Sequence, residues 1–267
     1  REHFLLAVLV GHLDRHDLAL KPALGGRARG PAPGILERLR QVPVVHRRDR
    51  VFHLLRESGA DVIALQEVLP NQRQDLEQSL PAYRWLGRGR DFGGGGEQCT
   101  IGVSPHLRLI DEGLFWLCDT PRLEGTIGWD ACLPRICCWV VVGSPNGDSD
   151  KTAAIANSHF DHLGANAREK SAELLASMFP DKSSVLVGDF NCTPRSKPIR
   201  HLSRNFRDVL ELSEAPTYHE FGRLTQGPRI DYVMVGSEVA VREAGIVDES
   251  KPYCSDHFAI QAELEFE

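Results

Sequence analysis

The sequence predicts two β-sheets packed face to face with helices over their outer faces. Two observations carry this expectation. Strand-like runs are many and helical runs few, and the strands are either alternating or short and apolar, a pattern that favours a sandwich over a doubly wound parallel sheet. In addition, 267 residues with a 42% hydrophobic fraction supply enough apolar material for one sizeable core, so a single domain spanning residues 1–267 is expected.

The elements follow in order. FLLAVLVG is a strand-sized apolar run behind Arg1, far short of the roughly 20 residues a membrane helix needs. Behind Arg1 it faintly resembles the apolar core of a secretory leader, but it is short and no small-residue cleavage site follows cleanly, so secretion is the lesser expectation. Residues 22–45 are rich in Gly, Pro, Ala and Arg and read as loop or poorly ordered connection, with a helical turn at ILERLR; residues 1–46 as a whole are atypical. RRDRVFHLLRES places Val51, Leu54 and Leu55 amid charge, as an amphipathic helix does, and Gly59 ends it. ADVIALQEV is a buried strand, and NQRQDLEQSLPAY a second helix stopping near Pro81. The glycines 93–96 form a turn; without a following Lys-Ser/Thr they are no phosphate loop. CTIGVS, LRLIDEGLFWL, RICCWVVVG, TAAIANSHF, SVLVGDF, RIDYVMVG and HFAIQAELEF are strands, with the helix NAREKSAELLASMF between two of them.

Charge and cysteine use narrow the setting. Seven cysteines, two of them adjacent at 137–138, fit neither a disulfide framework nor zinc spacing, so a reducing, cytoplasmic compartment is expected. The formal charge is −6, and residues 1–50 carry ten Lys+Arg against five Asp+Glu, leaving 21 against 32 for the rest. That acidic remainder disfavours long-duplex binding, which draws its affinity from a basic face.

Polar residues recur where strands end. Glu67 ends VIALQE, His159 ends AIANSH, Asp189 and Asn191 end VLVGDFN, Asp231 follows RI, and Asp256-His257 precede FAI. A single such residue reads as a turn former. The recurrence implies instead one rim lined by carboxylate, amide and imidazole groups, whose mutual repulsion a cation or tuned protonation must offset. Oxygen donors without cysteine suit a hard cation, Mg²⁺ or Mn²⁺, and the surplus groups suit proton transfer and negative charge on phosphate oxygens.

LQEV, NSHFDH, GDFN, RIDYVMV and SDHFAI, in this order, resemble the successive signature motifs of the endonuclease/exonuclease/phosphatase superfamily, which includes pancreatic deoxyribonuclease, apurinic endonucleases, sphingomyelinases, inositol polyphosphate phosphatases and deadenylases. GWDACLPRICCW, DHLGANAR and TYHEFG further resemble a bacterial and fungal branch of it. The resemblance covers roughly Arg47 to Glu267 and implies an α/β fold of four layers, helix/sheet/sheet/helix. It also implies roles. Glu67 is the principal metal ligand, and Asp256 serves the metal or its water shell. Asp189 orients or activates the attacking water, and Asn191 holds the phosphate or that water. His257 stabilises the transition state, with Asp231 accepting its other N–H. His159 donates to the phosphate or leaving oxygen, and Arg135 clamps a phosphate oxygen.

One motif departs. The family's first strand carries an Asn that completes the metal site, whereas HFLLAVLVGHLD contains none; a simple register puts Val10 there, with His12 and Asp14 nearby. The expected function is a Mg²⁺- or Mn²⁺-dependent phosphoesterase taking a small or single-stranded phosphorylated substrate. Two alternatives stand beside it: a single-strand nuclease or deadenylase stacking bases on Tyr218, Phe221 or Trp129, and a catalytically weak member that binds a phosphorylated ligand, for which the missing Asn is the motive.

Overall fold

A computed structural model describes residues 3–9, 44–144, 151–211, 213–247 and 253–266. Val10, His12, Asp14 and the expected turn at ILERLR lie outside the described residues.

Two six-stranded sheets pack against each other. The first has strand order β11-β12-β1-β2-β4-β3, from β1 (His3–Leu9), β2 (Val62–Val68), β3 (Arg84–Leu86), β4 (Gln98–Val103), β11 (Val239–Val247) and β12 (Ala259–Phe266). The second has order β5-β6-β7-β8-β10-β9, from β5 (Arg108–Trp116), β6 (Ile136–Gly143), β7 (Thr152–His159), β8 (Ser184–Asp189), β9 (Arg207–Asp208) and β10 (Asp231–Val235). The pairs β1/β2 and β7/β8 are parallel and the others antiparallel.

Helices α1 (Val44–Ser58) and α2 (Pro70–Ser79) cover the first sheet, and α3 (Ala165–Met178) and α4 (Lys197–Leu202) the second. The result is a four-layer helix/sheet/sheet/helix sandwich. Three apolar layers hold it, and the central strands read as unbroken apolar runs because both of their faces are buried. In β2, Val62 and Ala64 enter the inter-sheet core while Ile63 and Leu65 pack with Val51, Leu55 and Leu76 of the helices. In β8, Val185 and Val187 face the other sheet, and Leu186 meets Ala172 and Leu175 of α3.

The expected helices and strands are present, with three shifts. Helix α1 begins at Val44, before the expected Arg47. Helix α2 ends at Ser79, and Pro70 opens it at a position where a missing N–H costs nothing. Strands β3, β9 and β11 and helix α4 carry no strand or helix signal as clear as those of the other elements. Strand β11, VAVREAGIV, is a sheet edge with exposed charges, so it lacks the apolar run of its neighbours. The glycine run forms a short 3₁₀ turn, Phe92–Gly94. No described helix is long and apolar enough to cross a membrane.

Candidate active site

Topology brings the polar strand ends to one rim. Because β7 and β8 are parallel, their last residues lie side by side, His159 opposite Asp189. Strand β10 runs the other way, so its first residue, Asp231, also sits opposite Asp189. In the first sheet β12 is antiparallel to β1 and β1 parallel to β2, which puts the entry to β12, with Asp256 and His257, at the same edge as Glu67.

Each catalytic candidate of the second sheet is followed by an aromatic residue on the opposite face. Phe160, Phe190 and Tyr232 are fully buried beneath the rim, with Phe190 stacked on Phe160 at 4.6 Å and on Tyr232 at 5.5 Å. The two-residue period of a strand then turns His159, Asp189 and Asp231 toward the site. These polar–aromatic dipeptides are a signal in the sequence that the strand-end pattern alone does not use.

Backbone geometry aims the remaining groups. The β2/β4 register shifts between Leu65 and Val68, and Glu67 within that bulge has φ 60°. Asn191 has φ 48°, unusual for a non-glycine residue and frequent where a site over-determines its backbone. Its Nδ2 donates to the Phe160 carbonyl at 3.0 Å, and its backbone N–H to Asp189 Oδ1 at 2.7 Å. Gly188 has φ 132°, and a Cβ there would lie 1.9 Å from the Ser158 carbonyl oxygen, so only glycine lets β8 pass this close to β7.

Asn157, two residues before His159, ties the sheets together at this depth. Fully buried, it donates through Nδ2 to the carbonyls of Leu65 (2.9 Å) and Thr100 (3.0 Å) and accepts at Oδ1 from Gln66. Thr217 fixes the other flank. Its Oγ1 accepts from the backbone N–H groups of Ile230 and Asp231, and its carbonyl accepts from Phe258 N at 2.7 Å. Neither residue figured among the expected site residues, since their role depends on segments far apart in sequence.

His257 Nδ1 lies 2.9 Å from Asp231 Oδ2. Burial alone would lower this imidazole, but the charge and hydrogen bond of Asp231, with Asp189 and Asp256 adding, push it up to about 10. The Asp231 carboxylate therefore favours the charged form of His257. His159 stands between two carboxylates, with Nδ1 3.9 Å from Glu67 Oε1 and Nε2 3.5 Å from Asp189 Oδ2. Burial and the charge of Asp231 raise Asp189 to about 8, against the lowering pull of His257 and the Asn191 N–H.

The donor set fits a hard divalent cation. Carboxylate oxygens of Asp189 and Asp231 lie within 4.8 Å of each other, while the neighbouring His257 gives its Nδ1 to Asp231 and is no ligand. Among the described residues, Asp231 Oδ1 and Asp256 Oδ1 are buried oxygens with no hydrogen-bond partner, an arrangement that costs free energy unless a cation or water meets them.

Arg135 is drawn elsewhere. It is 4% exposed, with Nε 3.4 Å from Asp161 Oδ1 and Nη2 3.0 Å from His162 Nδ1, so the guanidinium expected to clamp a phosphate already has two protein partners. Of the aromatics considered for base stacking, Tyr218 is half-buried with its ring 4.9 Å from that of His257. Phe221 lies under the Arg47 guanidinium, and Trp129 Nε1 donates to Asp119.

Comparison with known proteins agrees with this geometry. The profile of the Endonuclease/Exonuclease/phosphatase family matches residues 34–257. Among solved structures, an endonuclease/exonuclease/phosphatase from Bacteroides vulgatus is 27% identical with a TM-score of 0.85, and the match covers 100% of both chains. A mannosyl-6-phosphatase of Bacteroides thetaiotaomicron is 25% identical with a TM-score of 0.78, covering 98% of this chain and 100% of that one. The human Nocturnin catalytic domain with bound sulfate shares the fold at 17% identity, with a TM-score of 0.62 over 84% of this chain and 87% of that one. No curated protein matches. With its five motif ends gathered on one rim of a four-layer sandwich, and with the family profile matched over most of its length, the chain belongs to the Endonuclease/Exonuclease/phosphatase family.

Proposed function

We propose that the protein is a Mg²⁺- or Mn²⁺-dependent phosphoesterase that hydrolyses a small phosphorylated substrate by in-line attack of water. The observation that carries this reading is the gathering of His159, Asp189 and Asp231 on one rim with His257, which Asp231 holds at 2.9 Å; burial and the Asp231 charge also raise Asp189 above an ordinary carboxylate. A group titrating near the working pH is suited to take a proton from water, and a fixed imidazolium suits charge developing on phosphorus oxygens.

Glu67 and Asp256 would hold the cation, which when bound supplies Lewis-acid stabilisation of the phosphoryl oxygens. Asp189 orients the attacking water and receives its proton. Asn191, with one amide N–H committed to Phe160, offers the other and its carbonyl to that water or a phosphate oxygen. His159, between Glu67 and Asp189, donates to the phosphate or the leaving oxygen.

The similarity to a mannosyl-6-phosphatase over the full length of both chains supports a small, sugar-sized ester. A second reading, a nuclease acting on single strands, draws support from Tyr218, half-buried beside His257 where a base could stack. Hydrolysis assays with Mg²⁺, Mn²⁺ or EDTA separate the possibilities. The substrates are p-nitrophenyl phosphate, its bis ester, hexose phosphates, phosphoinositides and single-stranded RNA. Metal-dependent release of phosphate from a small ester supports the first reading and cleavage of RNA alone the second. Absence of turnover on every substrate would leave a ligand-binding protein.

A further inference from the structure

Beside the catalytic rim lies a second polar cluster that the mechanism does not use. Two residues beyond His159, Asp161 is a fully buried carboxylate, its side chain 0% exposed. Its Oδ1 accepts from Cys132 N (3.2 Å), Cys132 Sγ (3.1 Å) and Arg135 Nε (3.4 Å), and its Oδ2 accepts from Leu163 N (3.0 Å) and Gly164 N (2.7 Å). Both oxygens are saturated. Cys132, Asp161 and His162 have ligand atoms within 4.8 Å of one another, a spacing that could suit a metal ion. Arg135 already fills that role, because its guanidinium occupies both Asp161 Oδ1 and His162 Nδ1.

The consequence falls on His162. Arginine can only donate, so His162 Nδ1, 3.0 Å from Arg135 Nη2, must be the acceptor. The ring therefore carries its proton on Nε2. Burial and the Arg135 charge lower its pKa, against Asp161 and Glu67 which raise it, a direction that agrees with the neutral ring the Arg135 hydrogen bond requires. His162 follows His159 by three residues, and Phe160 between them donates its backbone N–H to the Asp189 carbonyl at 2.9 Å and accepts from Asn191 Nδ2 at 3.0 Å, which sets the His162 segment beside the catalytic rim. Unlike Arg135 and Asp161, His162 is exposed.

We propose that His162 is a specificity-determining contact of this site: a neutral imidazole, locked in one tautomer by Arg135 and Asp161, whose Nε2–H meets an uncharged oxygen on the non-reacting part of the substrate. The inference rests on the phosphoesterase reading and deepens it. A neutral donor backed by a buried, charge-balanced Arg–Asp pair offers little net charge to a second phosphate. It is well matched to a hydroxyl or ring oxygen, and donation from Arg135 polarises the ring and strengthens its outward N–H. The substrate class is accordingly a phosphate ester of a polyol or sugar. Arg135 and Asp161 are positioning residues.

The test compares a hexose 6-phosphate with p-nitrophenyl phosphate in Mg²⁺, for the wild type and for His162→Phe, His162→Gln and Arg135→Met. His162→Phe should lose about tenfold more kcat/KM on the sugar ester than on the aryl ester, mostly through KM, as expected for one hydrogen bond to a bound group. His162→Gln, whose amide N–H reaches the Nε2 position, should recover most of that difference. Imidazole ¹⁵N–¹H spectra, assigned by difference with His162→Gln, should show the Nε2–H form in the wild type and a tautomer mixture in Arg135→Met. Equal losses on the two esters, no advantage of Gln over Phe, or an Nδ1–H ring in the wild type would each overturn the proposal. If the wild type hydrolyses neither ester, the phosphoesterase reading is what has failed. Titration with the unhydrolysed hexose phosphate then decides separately: a shift of the His162 Nε2–H resonance supports the contact, and an unmoved resonance refutes it.

Discussion

His257 and Asp231 meet at 2.9 Å across 26 residues of sequence, with side chains only 9% and 0% exposed. A buried pair of this kind acts as one device, since the carboxylate both orients the ring and keeps it charged. His257→Ala and Asp231→Ala should each lower kcat by about 10²–10³-fold, the range found for loss of a preorganised donor. The double mutant should fall little below His257→Ala. Steady-state kinetics on a small phosphoester measures the cycle, and multiplicative losses would show that the two residues act independently.

Glu67 occupies a bulge with φ 60° at the end of β2, so its carboxylate is set by backbone geometry rather than by a flexible loop. Glu67→Gln should weaken Mn²⁺ binding by at least about tenfold while leaving the far-ultraviolet circular dichroism unchanged. Calorimetric titration with Mn²⁺ reads the affinity directly. An unaltered binding isotherm would remove Glu67 from the metal site.

Asp161 yields a prediction in pH. Burial raises its carboxyl, but the Gly164 N–H, the Cys132 thiol, the Leu163 N–H and the Arg135 charge outweigh that and hold it well below the usual carboxylate range. A pKa depressed by folding contributes stability above the unfolded value of about 3.9, and that contribution is lost as pH falls toward the folded value. Asp161→Asn should therefore be destabilising near pH 7, with the gap to wild type narrowing below about pH 4. Urea unfolding at several pH values tests this, and a gap independent of pH would mean the ionised carboxylate is not what stabilises the cluster.

Much of this architecture is legible in the sequence. Doubly buried strands announce themselves as apolar runs, and the polar strand ends at Glu67, His159, Asp189, Asp231 and His257 do gather on one rim. Other features depend on tertiary partners. Arg135 was expected at a phosphate, yet its neighbours are Asp161 and His162, which lie 26 and 27 residues away. Likewise, nothing local distinguishes Asn157 in NSHFDH from an ordinary strand residue, because its acceptors are the carbonyls of Leu65 and Thr100 on the other sheet. Strand β11 escaped for the opposite reason, since an exposed edge needs no apolar run.

The amide of Asn157 bridges a seam that also divides the chemistry. Glu67 sits in one sheet and Asp256 and His257 lead into it, while His159, Asp189 and Asp231 belong to the other. Neither half alone contains a catalytic centre. During refolding, each sheet with its covering helices can gain secondary structure separately, but hydrolysis must wait until the two halves dock in register, a step that closes contacts between residues distant in sequence. Recovery of turnover is thus a clock for the docking event. Glu67 and Asp256 both stand on the first sheet's side of that seam, so a bound cation would fasten the end of β2 to the entry of β12 and raise the resistance of that half to unfolding by mass action, leaving the seam itself to Asn157.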